Sequence, residues 1–509
     1  MKILNKEFCI ILFLFLISFI PRFELLSKGP FHWDTLYMIQ CAEKTLKGKI
    51  ALAQDVGALP AVFLDALFIL IAHILNLNKF FVVNIAVGFG ASLSICFFYL
   101  FIKELLNSKK AAFYSSILYS FLPPFFSVST FGRTDHIFSL LFFFISFWLL
   151  VKYIKENNLK IYLSSLAFLG LAISTRFPEF LMFLVYLLIL FIFGERIWIE
   201  KKNLKVKKKV ITEVGLAIII PTVVFFIFYL PFIGEVINRI ILHATTEQFG
   251  KWAGIYSPYL VISLRYLFKS LSFWGIALSI FGTIILFRNR KYKEILIFTF
   301  WFLIMFIFFG NQVTVAARFL ITSMIPLLIL TSYFITEFLN FFQSFLKINI
   351  SSFTSNSIQL ILVAILIYLT FLPVYPILEF RHNHNMQKEF AMYLKNITED
   401  NAIILAKDEG IFLRYYLGST NRSITSFPST CNSTKMKEFF EKMDSWLEEN
   451  RSVYIIETGL AYDPCRLFLN TLLQNYNLTL VGKHLNEDWH HKSIYPGLFE
   501  ERVFKITKK

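Results

Sequence analysis

The chain has 509 residues, 92 of them aromatic, with 56% hydrophobic and only 17% charged residues, against about 25% charged in an ordinary soluble domain. This excludes a soluble enzyme, and with five cysteines and 35 glycines plus prolines it also excludes a disulfide scaffold or a collagen-like or disordered chain. The net charge of +16 does not mark a nucleic-acid binder, because the basic residues sit between apolar runs and not on one polar surface.

Apolar runs able to cross about 30 Å of hydrocarbon recur at residues 8–21, 80–102, 111–128, 136–151, 161–175, 177–193, 210–230, 262–287, 295–310, 318–340 and 358–378. They predict an α-helical polytopic membrane protein with about eleven transmembrane helices. A twelfth run, 61–77, carries Asp65 and His73, and its length leaves open whether it spans or lies in the interface. With that run left outside, the segments of cytoplasmic parity hold 20 Lys and Arg against 10 on the opposite side. The positive-inside rule then puts the N-terminus in the cytoplasm. The first run ends in Pro21, Arg22, Phe23 and Glu24, not in small residues, so it reads as an uncleaved anchor.

Near residue 380 polar residues return and apolar runs shorten. Residues 1–380 form the expected membrane domain, and 381–509 an extracytoplasmic soluble α/β domain. Within the latter the pattern predicts helices at 386–395, 434–449 and 464–475, and strands at 402–406, 452–457, 478–483 and 502–506. Cys431 and Cys465 fall in this domain, and whether they pair stays open.

Ionisable residues at span ends are the candidates for chemistry. The first outer loop, 22–60, contains FHWDTLYM at 31–38, in which Asp34 stands among His32, Trp33 and Tyr37. That setting suits a general base beside an aromatic platform, although, taken alone, a cap for a helix from Leu36 to Leu46 is the better reading of Asp34. FGRTDHIF, residues 131–138, supplies Arg133, Asp135 and His136; ISTRFPEF adds Arg176 and Glu179; and AARFLITSMIP adds Arg318. Three arginines on one face would make a cationic rim for a phosphate or pyrophosphate headgroup, which a guanidinium grips with two parallel hydrogen bonds. The outer segment 234–259 contributes Lys251 as part of a candidate lid. No Walker loop, dinucleotide fingerprint, HExxH or paired CxxC occurs, which removes support for an NTP motor, a nicotinamide enzyme or a zinc protease. His382 with His384, and His490 with His491, read as incidental pairs, and no metal or other cofactor is expected.

These segments, in this order, resemble the lipid-linked-sugar glycosyltransferases of the GT-C fold, above all the group of protein O-mannosyltransferases and the lipid A aminoarabinose transferase. The resemblance covers roughly residues 8–378 and rests on HWDTLYMIQCAEKTLKGK, ALPAVFLDALFILIAHILNLN, FGRTDHIFSLLFFF, GLAISTRFPEFLMF and AARFLITSMIPLLIL. It implies inverting transfer of a sugar from a polyprenyl-phosphate donor to a lipid, glycan or protein acceptor on the outer face. Asp34 would be the base; Arg133, Arg176 and Arg318 would hold the phosphate, with Asp135 orienting. Many relatives carry an acidic pair in the first loop; here Thr35 follows Asp34, so a second acid would have to be Asp55. A double proline is reduced to Pro60. The competing class is a polytopic lipid or solute transporter, which usually shows internal repeats and charges at the membrane midplane.

Overall fold

The computed structural model describes residues 2–53, 58–194, 197–200, 203–206, 208–245, 258–311, 316–346, 351–407, 410–428, 432–463, 466–487 and 498–509. Its elements are α1 (Lys2–Glu24), α2 (Trp33–Leu46), α3 (Leu59–Ile74), α4 (Lys79–Leu106), α5 (Lys109–Ser120), α6 (Pro123–Thr130), α7 (Thr134–Glu156), α8 (Leu159–Thr175), α9 (Met182–Phe193), the hairpin β1 (Ile197–Glu200) and β2 (Asn203–Val206), α10 (Lys208–Tyr229), α11 (Ile233–Thr245), α12 (Pro258–Arg288), α13 (Tyr292–Gly310), α14 (Ile321–Leu346) and α15 (Ser352–Phe371). They continue with α16 (Tyr375–Asn383), α17 (Met386–Ile397), β3 (Ile403–Leu405), α18 (Gly410–Leu417), β4 (Ser423–Thr425), α19 (Ser433–Glu448), β5 (Val453–Ile456), α20 (Leu467–Asn475), β6 (Tyr476–Glu487) and β7 (Leu498–Lys508).

Two compact units result. One comprises Met1–Leu26 and Met38–Glu379; the other comprises Ser27–Tyr37 and the described chain from Phe380 on. The boundary therefore cuts α2 after Tyr37 and α16 after Glu379, and it assigns the middle of the expected first outer loop to the C-terminal unit.

The first unit is an integral membrane helix bundle. All eleven expected spans fall on helices, seven of which are, among the described residues, long and apolar enough to cross; α5 and α6, bent by 57°, make an eighth if they count as one span. The bend has a local cause. Pro123 and Pro124 open α6, and proline fits the first turn of a helix but not the interior of the preceding one. Large apolar side chains such as Ile218, Ile227, Phe273, Ile284 and Ile365 stay exposed on α10, α12 and α15, as a surface solvated by lipid tails requires. Inside the bundle, small residues let backbones approach. Gly282 of α12 lies against the Leu330 carbonyl of α14, where a Cβ would overlap it.

Several buried polar groups in the bundle tie helices together. The Arg22 guanidinium, fully buried, donates to Ser129 Oγ (2.7 Å), Ser18 O (2.8 Å), Ser18 Oγ (2.9 Å) and Ser120 O (2.6 Å), and lies over the Phe126 ring at 4.5 Å. Tyr229 OH donates to Ser174 O (2.6 Å) and accepts from the Leu59 amide (3.0 Å), joining α10, α8 and α3.

The C-terminal unit is the expected α/β layer. Its mixed sheet runs β4-β3-β5-β7-β6, with β3 parallel to β4 and β5, and β7 antiparallel to β5 and β6. Buried Ile403, Leu405, Val453 and Ile455 face α19 and α20 through Phe440, Met443 and Phe468, while Ile404 and Ile456 pack with Phe390, Leu394 and Leu413. Alternating faces of β3 and β5 thus bury against helices on both sides. The sequence pattern missed α18, β4 and the β1–β2 hairpin, each of which is only three to eight residues long. Partial burial opposes ionisation of Glu399, yet hydrogen bonds from Lys505 and Tyr454 hold its carboxyl down at about 2.

Gly282→Ala forces a methyl into the Leu330 backbone and should lower stability by roughly 1–3 kcal/mol. Thermal unfolding in detergent checks this; an unchanged midpoint contradicts the close approach.

Candidate functional site

The arginine-bearing landmarks come from three distant parts of the membrane unit, and the fold brings them to one aromatic ring, Phe319. The His136 ring stacks on Phe319 (centroids 6.2 Å apart, planes 18° apart), the Arg176 guanidinium lies 5.6 Å from its centre, and Arg318 lies 4.8 Å away. Arg176 also faces Phe309 at 5.6 Å and stands within electrostatic reach of both Arg133 and Asp135.

Local sequence explains each placement. Gly132, at φ 77°, turns the chain into α7, so that Arg133 sits at the cap position and Thr134 and Asp135 fall in the first turn. There a carboxylate meets the positive end of the helix dipole. Asp135 receives Arg133 as a fork, Nε to Oδ1 at 3.0 Å and Nη2 to Oδ2 at 2.9 Å, and His136 Nε2 lies 3.8 Å from Asp135 Oδ2. Arg176 ends α8, and Pro178 opens the 3₁₀ turn Phe177–Leu181, which places Glu179 back against Arg176 as an ion pair.

This corrects one expectation. In place of a cationic rim there is an enclosed cluster with one half-buried member: Arg133, Asp135 and His136 are each 2% exposed, Arg176 7% and Glu179 3%, while Arg318 is half-buried. Arg133 and Arg176 each face a carboxylate. Such pairing follows from burial, since an unpaired charge at this depth is far more costly than a paired one.

Sequence reasoning left Asp65 without a role. It is fully buried on α3, accepts from Thr134 Oγ1 at 2.5 Å, stands within electrostatic reach of Asp135, and its Oδ2 has no hydrogen-bond partner among the described residues. The available signal was a lone carboxylate inside an apolar run.

Asp34 belongs to the other unit. The helix starts at Trp33, so Asp34 lies inside its first turn and not ahead of it, and it is 6% exposed. His32 Nδ1 accepts from the Asp34 amide (3.2 Å) and lies 3.3 Å from Asp34 Oδ2. The His32 and Trp33 rings stack at 5.7 Å, while Trp33 and Tyr37 are half-buried. Asp55 and Lys251 lie outside the described residues, as do Cys431, Cys465, His490 and His491. Among the described residues no group of three or more His, Cys, Asp and Glu is spaced to hold a metal ion. A groove of about 490 Å³ on the C-terminal unit, between α19 and α20, has its polar rim engaged internally: Tyr476 donates to Asp444 (2.9 Å) and Lys508 to Glu448 (2.8 Å).

Removing one partner of the buried fork strands the other. Asp135→Ala should therefore destabilise by about 3–5 kcal/mol, and the double change Arg133→Met with Asp135→Leu by less than that. Thermal unfolding of the three proteins side by side decides it.

Residues 58–225 match the family of dolichyl-phosphate-mannose-protein mannosyltransferases (PMT_2). No curated protein matches by sequence. Among solved structures, the chain is similar to ArnT from Cupriavidus metallidurans bound to undecaprenyl phosphate, with TM-score 0.57 and 9% identity over 99% of this chain and 98% of that one. It is similar also to the same protein in the apo state, with TM-score 0.56 and 11% identity over 99% and 98%. End-to-end coverage at such low identity is a likeness of fold, and it includes the C-terminal unit as well as the bundle. The resemblance read from the sequence therefore holds: this is a GT-C-fold protein, ArnT-like along its whole length, with the mannosyltransferase family's pattern in residues 58–225.

Proposed function

We propose that the protein is an inverting membrane glycosyltransferase that moves a sugar from a polyprenyl-phosphate donor to an acceptor on the extracytoplasmic face. The observation that carries this reading is the gathering of three arginines from distant parts of the chain: Arg176 and Arg318 lie against the Phe319 ring, Arg133 stands within electrostatic reach of Arg176, and Arg133 and Arg176 are held by Asp135 and Glu179. A sugar leaving phosphate needs fixed positive charge where the anion develops, and dipoles and cations held in a dry site act there without reorganising. The ArnT relative holds undecaprenyl phosphate. A donor with a long apolar tail also explains why the enzyme is an integral membrane protein.

In the proposed step the acceptor hydroxyl oxygen attacks the anomeric carbon from the face opposite the phosphate. The carbon–oxygen bond to the phosphate breaks, its electron pair leaves with the lipid phosphate, and the hydroxyl proton passes to the Asp34 carboxylate. His32, Trp33 and Tyr37 flank that carboxylate. Arg133, Arg176 and Arg318 hold the phosphate, with Asp135 and Glu179 orienting two of the guanidiniums. The excess of Lys and Arg in alternate loops supports a cytoplasmic N-terminus, with the soluble domain from residue 381 on the outer face.

Asp34→Asn, which cannot take the proton, should lower transfer by at least ~100-fold while the protein inserts and binds donor normally. Release of polyprenyl phosphate from a panel of lipid-linked sugars is the assay, and wild-type turnover by this variant would return Asp34 to a structural role. Arg318→Ala should raise the apparent donor dissociation constant roughly tenfold or more, the loss of a charge-assisted contact to phosphate. Donor titration with an unchanged midpoint would remove Arg318 from the phosphate site.

A further inference from the structure

The segment that carries Asp34 is fastened to residues that follow the last apolar helix. The Arg381 guanidinium lies over the Phe31 ring, 3.5 Å from its centre, and both residues are buried, at 5% and 8% exposure. A cation on an aromatic face is strongest when water is excluded, as here. The Lys28 amide donates to Arg381 O (3.2 Å) and Lys28 Nζ to Asn383 O (2.8 Å), so the two stretches are also joined through backbone. Ser27 Oγ closes the turn on Gly29 O at 3.0 Å, and at Gly29 a Cβ would overlap the Asn385 side-chain amide. One residue beyond Phe31, His32 contacts Asp34 through both its amide and its carboxylate.

We infer that Arg381 and Gly29 are positioning residues for the reaction: they lock the 27–33 segment so that the first turn of α2 presents the Asp34 carboxylate in one place. The inference rests on the assignment of Asp34 as base. It adds that a residue more than 300 positions away, in the chain beyond the last apolar helix, sets the geometry of proton removal. Small displacement of a catalytic group is enough for large losses, on the order of 100-fold for about 1 Å.

The test uses the full-length protein in detergent or nanodiscs with a polyprenyl-phosphate sugar. Arg381→Ala should lower kcat on the order of 100-fold, leave donor KM within about twofold, and shift the acidic limb of the pH–rate profile, which reports the base. Free guanidinium should restore part of the lost kcat in Arg381→Ala, as Arg381→Lys should by keeping the cation. Combined with Asp34→Asn, Arg381→Ala should change the residual turnover by less than about twofold, because both act on one step. Gly29→Ala should mimic Arg381→Ala, and Asn385→Gly should relieve it by opening the space, glycine being tolerated at the cap of α17 that Asn385 provides. Wild-type kcat in Arg381→Ala, with Asp34→Asn inactive, overturns the positioning role and leaves the base standing. Full activity of Asp34→Asn overturns the base itself. Additive losses without guanidinium rescue or a pH shift reduce Arg381 to general stability, and should Arg381→Ala fail to fold, Arg381→Lys and the Gly29/Asn385 pair yield the same readouts.

Discussion

Charge in a hydrocarbon setting has to be compensated where it stands, and this constraint organises the membrane unit. Water at a protein surface solvates a guanidinium or a carboxylate at little cost; inside the bundle each needs a partner of fixed geometry. The helices that supply those partners are thereby held in register. Arg22 ties α1 to α5 and α6 through Ser120 and Ser129. Asp65 ties α3 to α7 through Thr134. Arg133 with Asp135, and Arg176 with Glu179, fix the start of α7 and the turn after α8 beside Phe319. The residues best suited to the proposed chemistry are thus also among those that define the packing.

The C-terminal unit stands differently. Its sheet and helices have an ordinary apolar core, with Met443, Val453, Ile455 and Phe468 fully buried. Its connection to the proposed chemistry runs through residues 27–37, which precede it by more than 340 positions in sequence and pack with it. The proposed base and the proposed phosphate-holding cations thereby belong to separately packed units, each with its own set of supporting contacts.

Much of the fold was legible in the sequence because a membrane enforces long apolar runs, and the C-terminal strands were legible because β3 and β5 are continuous stretches of aliphatic and aromatic residues. The short elements α18 and β4 lie below the length at which periodicity speaks. The candidate site was readable as a list but not as an arrangement. That Arg133, Arg176 and Arg318 are charged residues at apolar edges is local information; that Arg176 and Arg318 reach Phe319, with His136 stacked on it and Arg133 within electrostatic reach of Arg176, depends on how α7, α8 and the turn before α14 pack, which no spacing encodes. Depth was misjudged for the same reason: a charge at the end of an apolar run reads as a rim, whereas neighbouring helices can enclose it. The assignment of Ser27–Tyr37 to the far unit was illegible altogether, since Phe31 and Arg381 are ordinary residues until they meet.

The way each arginine is buried separates structure from chemistry. Arg22 is satisfied by serine hydroxyls and backbone carbonyls, neutral acceptors that hold it in place and leave no anion to be exchanged for another. Arg133 and Arg176 face carboxylates, and a guanidinium held by a carboxylate has the planar fork already set for a second oxyanion of similar geometry, such as a phosphate. On the proposed reading Asp135 and Glu179 do more than neutralise: they keep the two forks aligned until a donor phosphate takes its place beside them. A cluster of arginines without those carboxylates would be too costly to bury, and a cluster fully matched by them would have no charge left for a ligand. Arg318 brings a third guanidinium to the same ring and buried Asp65 stands within electrostatic reach of Asp135, so the balance of the cluster is set jointly by α3, α7, α8 and the turn before α14.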